Sequence, residues 1–144
     1  MLLRTCRYRT AAHLHLMEAA TAQLDVSPTH MAFERIARSE LRWSTAPPRA
    51  LAAFAFTPTE LSGRLGCTFE RGSDDLDHFQ ALGLRLPSGR DVLLLWYERA
   101  PVKLTSIEVD GADSAEAALR EFFAVTGLRR DEIVWWGEFD PGAG

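Results

Sequence analysis

The chain has 144 residues, 47% of them hydrophobic and 25% charged, a size and balance that suit one globular domain with its own apolar core. Its net charge of -4 lacks the basic excess with which proteins approach phosphate backbones, so nucleic acid is not an expected partner. No apolar run nears the ~20 residues of a membrane span, and the stretch at 11–16 is interrupted by His13 and His15, unlike a secretion signal.

Cysteine usage points the same way. Cys6 and Cys67 lie far apart, outside any metal-ligand spacing, and read as reduced thiols of a cytoplasmic protein. Lys103 is the only lysine, so nearly all positive charge is carried by arginine, which pairs bidentately with carboxylates.

In chain order, residues 11–24 can form a helix with Leu14, Met17 and Leu24 on overlapping faces, ended by Ser27-Pro28. Arg4, Arg7 and Arg9 precede any acid, whereas acids outnumber bases from Met31 onward. Residues 1–30 are therefore expected to be a helical extension, dispensable for the fold, with Met31 as a candidate start of translation. Residues 32–41 place Phe33, Ile36, Ala37 and Leu41 at helical spacing, and Pro47-Pro48 then breaks the chain. A short strand or buried turn is expected at 51–56.

Thr57-Pro58-Thr59-Glu60 is a capping box with proline at the first helical position, which predicts a helix over 58–65 that ends at Gly66. A strand follows at 67–70. Residues 76–86 and 91–99, joined by Pro87-Ser88-Gly89-Arg90, form a hairpin. Val92 to Tyr97 is apolar on both faces and is placed centrally, with 104–109 as the next antiparallel strand, Thr105, Ile107 and Val109 inward. Asp113 with Glu116 resembles a second capping box for a helix over 114–126, with Ala115, Ala118, Leu119 and Phe122 facing the core and Gly127 ending it. A last strand runs over 132–137, and residues 141–144 are expected to fray.

These elements predict an α+β fold: one domain over residues 31–140, with a mainly antiparallel sheet of four to five strands packed against a C-terminal helix and N-terminal helices.

Chemistry is harder to find. The turn Gly72-Ser73-Asp74-Asp75-Leu76-Asp77-His78 gathers carboxylates that could hold a divalent cation or split their pKa values, yet Asp and Ser also populate ordinary turns. No GxSxG, HExxH, P-loop or GxGxxG context occurs. No catalytic residue, metal ligand or cofactor is assigned. Trp135 and Trp136 are adjacent on a strand and must point to opposite faces, so one is available as an interface anchor, with Tyr97 and Arg99 able to extend the same patch. The expected binding residues are Asp74, Asp75, Asp77, Tyr97, Trp135 and Trp136. The expected partner is another protein, bound by an immunity or antitoxin-like inhibitor without enzymatic activity. The alternatives are a small enzyme or ligand-binding domain using the 74–78 turn, and a structural subunit of a larger assembly.

Overall fold

The computed structural model describes residues 33–137. Along them run β1 (Glu34–Ile36), β2 (Arg49–Phe54), α1 (Pro58–Leu65), β3 (Glu70–Ser73), β4 (His78–Arg85), β5 (Asp91–Tyr97), β6 (Thr105–Val109), α2 (Ala115–Thr126) and β7 (Ile133–Trp136), with 3-10 turns at Arg38–Glu40 and Arg130–Glu132. All seven strands join one antiparallel sheet in the order β1-β4-β5-β6-β2-β7. β1 and β3 lie end to end on one side of β4, pairing with residues 83–85 and 78–81 respectively, while β5 occupies its other side. The sheet does not close on itself.

This corrects the expected architecture in strand count and in helix placement. Seven strands replace four to five, and only two α-helices occur among the described residues. Phe33, Ile36, Ala37 and Leu41 have helical spacing, but the segment that carries them is β1 followed by a single 3-10 turn. Three residues of β1 exchange ladder bonds with the far end of β4, a gain that a solvated helix of weak amphipathicity does not offer. The helix expected at 11–24, the start at Met31 and the tail at 141–144 lie outside the described residues.

The two helices form where local sequence demands them. The Thr57 hydroxyl accepts from Glu60 N at 3.2 Å, while the Glu60 carboxylate accepts from Thr57 N at 2.9 Å. α2 is capped one residue later than expected: Ser114 accepts from Ala117 N at 3.2 Å, whereas Asp113 N donates to Asp110 O within the preceding turn. Both helices end on a glycine in the left-handed conformation, Gly66 and Gly127.

Strand alternation divides the sheet into two apolar faces. The helices cover one: Leu82, Leu84, Leu94, Ile107, Ala52 and Phe54 meet Leu61, Leu65, Leu119 and Phe122 in the main core. Opposite lie Phe79, Ala81, Leu93 and Leu95, against which Leu41, Trp43 and Tyr97 pack. Residues 37–48 provide this second cover because they leave β1 on one side of the β4-β5-β6 meander and enter β2 on the other. This strap is pinned by carboxylates: Arg42 N donates to Asp91 at 2.7 Å, and Ser44 N and Oγ donate to Asp110 at 2.7 and 2.6 Å. Cys67 is also a correction, being buried and disulfide-bonded where a reduced thiol was expected.

Candidate functional site

The acidic turn joins β3 to β4 and owes its shape to its own carboxylates. Asp74 Oδ1 accepts from Leu76 N at 2.9 Å and Asp77 N at 3.1 Å, an Asx-type arrangement that fixes the loop. Asp74 Oδ2 accepts from the Tyr97 hydroxyl at 2.8 Å. Asp77 accepts from His78 N at 2.7 Å and from Arg99 N, which ties the turn to the end of β5. The Tyr97 hydroxyl and the Leu76 amide hold the Asp74 carboxyl below the usual carboxylate range. Burial, followed by the bond to Asp74, pushes the Tyr97 phenol up to about 12. Two of the three aspartates are thus occupied in shaping the loop, while Asp75 is exposed and makes no hydrogen bond or ion pair among the described residues.

The same geometry holds Leu76 out of the fold. Its side chain is 78% exposed, beside an open depression of about 270 Å³ lined by Leu76, Asp77, Tyr97, Arg99 and Ala100. Val102 is exposed on the β5–β6 loop, at the same end of the sheet.

Around the corner, on the helix-free face, the aromatic rings are stacked in order. Phe79 lies over Gly72, where an added Cβ would stand 2.6 Å from the ring. The Arg38 guanidinium sits 4.6 Å from the centroid of Phe79, and Tyr97 meets the same ring edge-on at 6.0 Å and 76°. Glu108 projects onto this face from the middle of the sheet, flanked by Leu93 and Ala50 in register. Its one hydrogen bond among the described residues is from Ser106 Oγ at 3.4 Å. Burial raises its pKa, with Ser106 and the more distant Arg38 pulling the other way. Alternation with Ile107 and Val109 marks Glu108 as facing away from the main core, but only strand order shows that its neighbours are apolar.

The six expected binding residues do not form one patch. Asp74 and Tyr97 are in direct contact, and Asp75 and Asp77 share their loop. Trp135 lies on the edge strand β7, separated from β5 by β6 and β2, and is 44% exposed. Trp136 points to the other face, where it packs on the main core with the Arg130 guanidinium 6.0 Å from its ring.

Among the described residues no three His, Cys, Asp or Glu side chains come together as a metal cage. No helix among them is long and apolar enough to cross a membrane. No protein-family model, curated protein or solved structure matches this chain.

Proposed function

We propose that this domain is a protein-binding module without catalytic activity, one that masks a partner as an immunity protein or antitoxin does, with the 74–77 turn as its contact surface. Leu76 carries the reading. A leucine that is 78% exposed is held outward by a turn whose carboxylates are bonded to its own backbone, an arrangement suited to an anchor residue that enters a partner's pocket with little ordering cost. Asp75 and Arg99 supply a charged rim beside it, as interfaces commonly have. The alternative in which Asp74, Asp75, Asp77 and His78 perform chemistry draws less support, because Asp74 and Asp77 direct their oxygens into the loop.

The partner in this reading is another protein, not nucleic acid or a membrane. The proposal keeps residues 31–140 as the binding domain expected from the sequence. The proposal includes the cytoplasmic setting expected from the sequence.

A photo-crosslinking amino acid at position 76 tests the contact surface, with position 120 on the exposed side of α2 as the control. One discrete adduct from position 76, competed away by unlabelled protein and absent from position 120, is the expected result. Leu76→Asp should then abolish suppression of the partner's activity without changing the melting temperature. An adduct formed equally from both positions, or full suppression by Leu76→Asp, would remove this surface from the reading.

A further inference from the structure

A carboxylate in the middle of an apolar sheet face is an unusual use of charge. Glu108 stands between Leu93 and Ala50, and the described residues offer it no ion pair and only the long bond from Ser106. A partly buried carboxylate in such surroundings costs stability unless a donor satisfies it. Arg38, stacked on Phe79, acts on it only through space. Asp74 is bonded to Tyr97 along the same side. The same face carries Leu95 of the second apolar cluster, with Trp43 and Tyr97 packed against that cluster.

We propose that this part of the helix-free face receives an arginine side chain of the partner protein, with Glu108 as its ion-pair acceptor. This rests on the protein-binding reading and gives the partner a chemistry. A guanidinium fits better than an ammonium ion, because it is more weakly hydrated, stacks on aromatic rings and pairs with a carboxylate through two parallel bonds. The chain's acidic balance favours a basic partner in the same sense, by steering its approach.

N-acetyl-arginine methylamide and its neutral isostere N-acetyl-citrulline methylamide are the probes, titrated into the full chain while amide resonances are followed. The expected result is a saturable shift at Leu95, Ser106 and Glu108 with the arginine compound, at least about tenfold weaker with citrulline. Glu108→Gln should lose that preference while keeping native dispersion. Glu108→Asp, which withdraws the charge by one methylene, should bind at an intermediate level, and Leu76→Asp should bind as the wild type does. Loss of partner adducts from position 76 with arginine binding intact would therefore count against the 74–77 contact surface and leave this site standing.

Equal binding of arginine and citrulline, or binding that survives in Glu108→Gln, overturns the proposal. So does binding that appears only after Arg4, Arg7 and Arg9 are replaced by glutamine, which would make the chain's own N-terminal segment the occupant.

Discussion

Asp91→Ala should cost about 3 kcal/mol, because one carboxylate holds both the sheet edge and the strap across it. The Asp91 side chain is 2% exposed and accepts three bonds: from Arg85 Nε at 2.8 Å, Arg85 Nη2 at 3.0 Å and Arg42 N at 2.7 Å. Bonds to a charged group are worth ~1.5–3 kcal/mol each, but bonds sharing one acceptor do not add. Breaking a buried pair costs about 3–5 kcal/mol. The Arg85 side chain is 21% exposed and can recover some hydration, which places the loss at the lower end of that range. With a urea slope of roughly 2 kcal/mol/M, the unfolding midpoint should fall by about 1.5 M. Arg42→Ala is the control. Its Nε is 3.7 Å from Asp91 and its side chain is 60% exposed, so truncation leaves the backbone donor in place and should cost less than about 0.5 kcal/mol. Amide exchange across residues 41–44 should accelerate in Asp91→Ala and not in Arg42→Ala. A loss below about 1 kcal/mol for Asp91→Ala, or equal losses for the two variants, would refute the pinned strap.

Phe122 is fully buried against Phe54, so Phe122→Ala should cost ~3–5 kcal/mol, whereas Arg120→Ala, which loses only an exposed pair with Glu116, should change urea stability by less than about 0.5 kcal/mol; equal midpoints would reverse the assigned face of α2. Burial raises the Glu108 pKa above 4.5, so the folded state holds this proton more tightly, and stability is lost as pH rises through the folded pKa. Glu108→Gln should therefore melt higher than wild type at pH 7, with the gap closing as pH falls to about 4.5, and a gap constant with pH would remove burial as its cause. Alkylation of unfolded, unreduced protein should leave Cys67 unlabelled until a reductant is added, and immediate labelling would restore the reduced reading.

What the sequence determined by itself was set by contacts a few residues long. Thr57, Pro58, Glu60 and Gly66 place α1 at Pro58–Leu65 because caps and proline act within one turn. The 3.6-residue spacing of Ala115, Ala118, Leu119 and Phe122 fixes the buried face of α2 for the same reason. Alternation around Pro87-Ser88-Gly89-Arg90 yields β4 and β5, since a hairpin pairs neighbours in the chain. The tertiary structure decided everything that depends on which strand lies beside which. The 32–41 pattern fits a helix as well as an edge strand, and only the free edge of β4 makes it β1. Asp113 and Ser114 are both competent caps, and the turn leaving β6 selects Ser114. Adjacent tryptophans on a strand must diverge, but β7 places Trp136 on the core and leaves Trp135 partly in solvent because its outer edge has no neighbour among the described residues. Glu108 follows the same rule: its own strand marks it as outward, and its apolar neighbours come from β5 and β2, which converge on it from distant parts of the chain.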